Sequence, residues 1–233
     1  MQRIEQQDAA VDRDTQTQQS ARSARPPRMK PGERRVHILQ TLAAMLEAPK
    51  GEKITTAALA ARLGVSEAAL YRQFASKAQM YEALISFIEE TFFGLINQIT
   101  AKEPNGVLQA RAIGLMLLNF AARNPGMTRV LTGEALVGEH ERLAERVAQM
   151  LERVEISVKQ CLRLALSHAR EAEAKTDVEA GSAPAPLPGD YDPAVRASLL
   201  VSYVLGRWHR YAKSGFARAP ADDADAQLRL ILQ

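Results

Sequence analysis

Apolar residues recur at spacings of three and four along most of this chain, which predicts amphipathic helices and an all-α fold. From Glu33 to about Glu47 the residues Val36, Leu39, Leu42, Ala43 and Leu46 form one stripe, and Pro49-Lys50-Gly51 ends it. Residues 53–77 then hold two short periods, Leu59 and Leu63 before Gly64 and Leu70 and Phe74 after it. A long helix is expected from Lys77 to about Ala101, because Met80, Tyr81, Leu84, Ile88, Phe92, Leu95 and Ile99 share a stripe at roughly 100° per residue. Phe87 falls at the edge of that stripe and Phe93 outside it. Such an aromatic surplus marks either a second internal packing face or a patch for another protein.

The next helix, about Val107 to Arg123, is apolar nearly all round at Ile113–Leu118, as a buried element is. Arg123-Asn124-Pro125-Gly126 reads as its stop, with Arg123 on an exposed corner. From roughly Glu139 to Ala174 a seam of Leu143, Val147, Met150, Val154, Cys161, Leu164 and His168 is interrupted at Ser157. Residues 175–190, with Pro184, Pro186, Pro188, Gly181 and Gly189, read as an exposed, semi-extended loop. Asp192 and Pro193 open a last long helix with Val195, Leu199, Tyr203 and Gly206 on one face, before Trp208 and Tyr211. Two long helices with broad apolar faces near the C-terminus predict a homodimer joined by a four-helix interface.

Residues 53–77 carry the chemistry. Thr55 or Thr56 can cap a first helix, Gly64 can leave it in a left-handed conformation, Val65 can plug the space between helices, and Ser66 can cap a second helix with Glu67 in its first turn. Two helices and a glycine alone fit an ordinary helical hairpin equally well. Charge favours a helix-turn-helix, since Lys53, Arg62, Arg72 and Lys77 face one acid, Glu67, a surplus of three. Ala68 and Ala69 are small enough to let a recognition helix seat deeply in the major groove, and Arg72 and Gln73 can reach bases or phosphates.

The net charge of the whole chain is only +3, but between residues 22 and 35 six basic residues oppose one acid. Residues 1–30 are therefore expected to form a disordered basic arm, either a solubilising tail or a source of added phosphate or minor-groove contacts. Residues 1–20 are polar and Gln-rich, and the longest apolar run is far shorter than a membrane span. A soluble cytoplasmic protein without membrane attachment is expected. The single cysteine, Cys161, forms no intrachain disulfide and reads as buried filler. His37, His140, His168 and His209 are scattered singly, and no catalytic triad, phosphate-cradling loop or metal cluster is present. No enzyme activity, cofactor or metal is expected.

The run ITTAALAARLGVSEAALYRQFASKAQMYEALI, with its LY-x-x-F-x-S-K ending, resembles the N-terminal DNA-binding domain of TetR-type regulators. GVSEAALYR, FIEE, RNPGMTRVLTGEAL and the long helix that follows narrow the resemblance to SlmA-type nucleoid occlusion factors, a branch of that family. It covers roughly residues 33–233 and is weakest across 175–190. The resemblance implies a TetR-like fold, with a helix-turn-helix domain at 31–76 and a helical dimerisation and partner-binding domain at 77–233. It places the DNA-binding surface on Thr55, Thr56, Ser66, Ala68, Ala69, Tyr71, Arg72, Gln73 and Lys77. Gln73 stands where the motif usually has histidine. It also implies a surface for the tubulin-like division protein FtsZ at Phe87, Arg123 and Asn124, while Leu95, Met116 and Asn119 differ from the usual residues there.

The expected function is then a nucleoid-associated dimer that binds palindromic double-stranded DNA and, while bound, antagonises FtsZ assembly. A ligand-responsive repressor of the same family is the competing reading. Its pocket would need convergent polar groups in apolar walls, which Ile113–Leu118 does not offer. A purely structural helical adaptor would leave the basic helix-turn-helix unexplained.

Overall fold

The computed structural model describes residues 31–48, 54–176 and 187–233. The expected arm at 1–30, the Pro49-Lys50-Gly51 break, Lys53 and most of the expected 175–190 loop lie outside the described residues. The chain divides into two compact units, 1–37 and 38–233. Of the first, the described part is the start of helix α1, where Val36 is exposed.

The described residues are helical throughout their regular structure: α1 (Pro31–Leu46), α2 (Thr56–Leu63), α3 (Glu67–Tyr71), α4 (Lys77–Lys102), α5 (Gly106–Arg123), α6 (Pro125–Leu131), a short 3₁₀ turn (Glu134–Leu136), α7 (Arg142–Thr176), α8 (Pro193–Lys213) and α9 (Ala224–Leu232). In α1 the buried line is Ile38, Leu42 and Leu46 with Ala43 beside it. Leu42, Ala43 and Leu46 keep the expected stripe, but its start is Ile38, so Val36 faces outward and Leu39 is only partly covered.

Ser76 opens α4 by accepting a hydrogen bond from the Gln79 amide at 3.2 Å. The helix runs for 26 residues and buries Met80, Leu84, Ile85, Ile88, Phe92 and Ile96. Leu95 is half-buried in place of Ile96 because the stripe drifts as turns accumulate over so long a helix. The two surplus aromatics part ways. Phe93 supports the Arg153 guanidinium of α7 at 4.2 Å, and that arginine pairs with Glu89. Phe87 stays exposed.

Asn105 caps α5 with its side-chain oxygen, accepting from Val107 and Leu108 at 2.9 and 3.1 Å. Phe92 meets Phe120 edge-on at 4.8 Å, and the buried Trp208 indole donates to the Leu117 carbonyl at 3.2 Å, tying α4, α5 and α8 together. Pro125 does not merely end α5. It occupies the first turn of α6, where its missing N–H goes unneeded. Gly126 then lies so close to α1 that a β-carbon there would sit 1.9 Å from the Ala43 carbonyl oxygen.

One turn further along α6, the buried Arg129 donates to the carbonyls of Leu46 and Ala48, each at 2.7 Å. The Leu46 carbonyl belongs to the last turn of α1, where helix geometry supplies no intrahelical donor, and Ala48 lies two residues beyond. Its guanidinium also lies 4.8 Å from the Phe216 ring, and Glu134 stands 3.6 Å from its Nε. A buried cation is costly unless it is hydrogen-bonded and balanced; here one terminal nitrogen makes both bonds and Glu134 supplies the opposite charge, while the Nε has no hydrogen-bond partner.

In α7 the buried seam holds Leu143, Val147, Met150, Val154 and Cys161 as expected, joined by Val158, Leu162 and Ala165. Leu164 and His168 face outward, since the seam follows the helical turn of about 3.6 residues while the expected stripe alternates strictly by three and four and so drifts from it. Cys161 is buried, and burial pushes its thiol pKa up. Asp192 caps α8, accepting from Ala194 at 2.7 Å. Its inward face is Ala197, Leu200, Val201, Val204 and Trp208, whereas Val195, Leu199 and Gly206 are exposed and Tyr203 half-buried. Helix α9, which no motif announced, packs Leu228 over Gly114 and pairs Asp225 with Arg111. No described helix is long and apolar enough to cross a membrane.

Replacing Arg129 with alanine should lower stability by about 3 kcal/mol, since charge-assisted bonds to two helix-end carbonyls are lost. Urea denaturation reads this directly; a loss below about 0.5 kcal/mol would mean that water replaces the guanidinium.

Candidate nucleic-acid interface

The helix-turn-helix is built almost wholly from local signals. Thr55 caps α2 by accepting from the Ala58 amide at 3.1 Å. Gly64 ends it at φ 65°, and the Gly64 and Val65 amides return to the carbonyls of Ala61 and Ala60 at 3.1 and 3.0 Å. Val65 does not plug the gap between helices; it is exposed, and Leu59, Leu70 and Phe74 fill the interior. Ser66 caps α3, accepting from Ala69 at 3.2 Å. Arg72 closes this five-residue helix with right-handed helical torsions.

Of the expected surface, Thr55, Ser66, Ala68, Tyr71 and Arg72 are exposed, while Thr56, Ala69, Gln73 and Lys77 are half-buried. Thr56 and Tyr71 are brought together: the Tyr71 hydroxyl donates to the Thr56 oxygen at 3.3 Å, and the Thr56 hydroxyl donates to a Glu67 carboxylate oxygen at 2.8 Å. Sequence reasoning placed Glu67 only at a helix start. The signal for more was its position as the sole acid between residues 54 and 77.

Lys77 has a partner within the chain. Its Nζ lies 2.5 Å from Glu139 and 5.7 Å from the Tyr81 ring centre. Burial, with the Glu139 charge beside it, pushes the Tyr81 hydroxyl up to about 12, so that ring stays neutral at ordinary pH.

The second expected surface lies on α4 and at the C-terminal end of α5. The Phe92–Phe120 contact sets the register of α4 against α5. Phe87 is five residues before one ring and Arg123 three after the other, displacements of about 7.5 and 4.5 Å in the same direction along the antiparallel pair. Both are exposed. Asn124 is half-buried between α5 and α6, its amide donating to the Phe120 carbonyl at 2.8 Å and its carbonyl accepting from the Thr128 hydroxyl at 3.0 Å.

A capped helix-turn-helix leading directly into a long helix and an all-helical body is the architecture of TetR-type regulators. The family model for bacterial regulatory proteins of the tetR family matches residues 43–84, and one for a tetracyclin repressor-like, SlmA-like C-terminal domain matches 105–180. Among solved structures, the ketosteroid transcriptional regulator KstR2 of Mycobacterium tuberculosis is similar in fold, with TM-score 0.63 and 14% identity over 85% of this chain and 93% of that one. A TetR-family transcriptional regulator from Bordetella parapertussis gives 0.59 and 16% over 85% and 94%.

The nucleoid occlusion factor SlmA of Idiomarina loihiensis is 46% identical over 200 residues, 86% of this chain and 94% of that protein. That of Alteromonas mediterranea is 44% identical over 201 residues, 86% and 95%. The chain belongs to the SlmA nucleoid occlusion factor family.

The left-handed turn at Gly64 fixes the angle between α2 and α3, so Gly64→Ala should destabilise the protein by about 1 kcal/mol. Thermal denaturation of the alanine and asparagine variants tests this: asparagine should recover part of the loss, and an unchanged midpoint for alanine would contradict it.

Proposed function

We propose that the protein acts as a homodimer that binds near-palindromic duplex DNA through residues 55–77 and, while bound, engages FtsZ and opposes its assembly over the nucleoid. The observation that carries this reading is the capped helix-turn-helix with Ala68, Tyr71 and Arg72 exposed on its second helix, in a chain of the SlmA family. Ala68, Ala69, Arg72 and Gln73 meet base edges in the major groove, Thr55 and Ser66 serve the phosphates, and Thr56 and Tyr71 lie beside them. Lys77 contributes less charge than an unpaired lysine would, because Glu139 balances it. The basic arm at 1–30 adds phosphate contacts.

Dimerisation is supported by apolar residues that the protomer leaves uncovered on the two long C-terminal helices, Ile156 and Leu164 on α7 and Val195 and Leu199 on α8. Gly206 has open space around it, which allows a second copy to approach closely. A two-fold pair of helix-turn-helix units demands half-sites separated by a whole number of DNA turns. Phe87, Arg123 and Asn124 form the FtsZ surface, with an aromatic ring and a cation both available to a partner. No catalytic step and no cofactor enters this function, and the protein works in the cytoplasm on the nucleoid.

Titrating the protein into polymerising FtsZ, with and without a palindrome recovered by genomic selection, tests the whole reading. DNA-dependent loss of polymer is expected; no effect on polymer with DNA bound would favour a ligand-responsive repressor. Arg123→Asp should abolish co-sedimentation with FtsZ and leave duplex affinity intact, and unchanged co-sedimentation would remove Arg123 from the surface. Leu199→Arg should give monomers in sedimentation velocity, and a persisting dimer would move the interface away from α8. Arg72→Ala should weaken palindrome binding by about 1–3 kcal/mol in fluorescence anisotropy, whereas equal affinity would take it out of the interface.

A further inference from the structure

Glu67 stands where a DNA-binding face has least use for a carboxylate. Between residues 54 and 77 the charged neighbours are Arg62, Arg72 and Lys77, all cationic, and Glu67 is exposed. It nevertheless ends a chain of two hydrogen bonds that crosses the helix-turn-helix, from the Tyr71 hydroxyl to Thr56 at 3.3 Å and from the Thr56 hydroxyl to Glu67 at 2.8 Å. A hydroxyl has one proton to donate. While Tyr71 gives its proton to Thr56 and Thr56 gives its proton to Glu67, neither can donate to a phosphate oxygen. The two hydroxyls most suited to gripping a DNA backbone are turned inward by one acid.

A second consequence follows from charge. A carboxylate a few ångströms from the phosphates raises the energy of every complex, and non-specific association, which is almost entirely electrostatic, has nothing else to offset that. A fully seated specific complex has base contacts in compensation.

Resting on the reading that this face meets duplex DNA, we propose that Glu67 is a specificity-setting residue. It withholds the Thr56 and Tyr71 hydroxyls from the backbone and repels loosely seated duplex, so that tight binding requires the base contacts of a correct site. It acts through Thr56 and Tyr71 and through its charge, which makes it a positioning residue, and the recognition helix gains selectivity by weakening what it does not want.

The test uses the full-length protein and two duplexes of equal length, a genomically selected palindrome and its scrambled counterpart, measured by fluorescence anisotropy at about 0.05 M and about 0.3 M salt. Glu67→Gln keeps an oxygen that can accept from Thr56 but loses the charge. It should tighten binding to the scrambled duplex about tenfold at the lower salt and less at the higher, with a smaller gain on the palindrome, so the ratio of the two affinities falls. Unchanged or weaker binding to the scrambled duplex, or an equal gain on both, overturns the proposal. A cycle of Glu67→Ala with Thr56→Val isolates the withheld hydroxyl. Thr56→Val should weaken scrambled-duplex binding in the Glu67→Ala background and leave it unchanged with Glu67 present; the same effect in both backgrounds overturns that part. Melting temperatures of all variants separate these effects from loss of fold. If the unaltered protein binds neither duplex, the DNA-binding reading and this proposal fall together, whereas normal binding with an unaltered affinity ratio in Glu67→Gln overturns this proposal alone.

Discussion

The seating of α1 against α6 rests on one buried guanidinium. Arg129 fills the carbonyl end of α1 with two short hydrogen bonds and is shielded from water by Phe216 and neighbouring side chains. Gly126, one turn earlier on α6, brings the backbones of α6 and α1 into contact without a side chain between them. These two contacts seat α1, and α4 is a core element of the body. Helix ends with unpaired carbonyls and a buried cation are each unfavourable alone. Together they offset each other, both carbonyls accepting from a single terminal nitrogen of the guanidinium.

This arrangement makes α6 the shared support of both surfaces in the functional reading. Its N-terminal boundary is Asn124, beside the exposed Arg123, and its middle holds α1. The strained loop beyond α8, where Phe216 has φ 67°, is anchored against the same arginine.

Features with short sequence reach were legible. Thr55, Gly64, Ser66, Ser76 and Asp192 each act on backbone within about four residues of themselves, so their residue types announce helix boundaries. Family resemblance extended that reading to the all-α TetR-like fold. What escaped depends on distant partners or on phase. Glu139 takes Lys77 from 62 positions away, and Arg129 reaches carbonyls 83 and 81 positions back, which no local pattern encodes. Proline at 125 was read as a stop, although the same lack of an amide proton suits a helix start equally well. Val36, Leu164 and His168 fit an inward stripe by periodicity and Val65 fits a plug between helices, yet all four lie on the outside, because a small error in phase turns a helix position from the core to the surface. Glu67 was seen as a favourable charge at a helix start; its hydrogen-bonded partners are set by how α2 and α3 cross.

The central claim is that a symmetric pair of basic helix-turn-helix units is held against duplex DNA by backbone contacts that the fold positions in advance. The affinity of the full-length dimer for its palindromic duplex, measured across a series of salt concentrations, tests this most directly. The account predicts a straight log–log plot with a slope of about −4 or steeper, as counterions leave at phosphates contacted on both half-sites. An affinity indifferent to salt, or no measurable affinity at low salt, would contradict it.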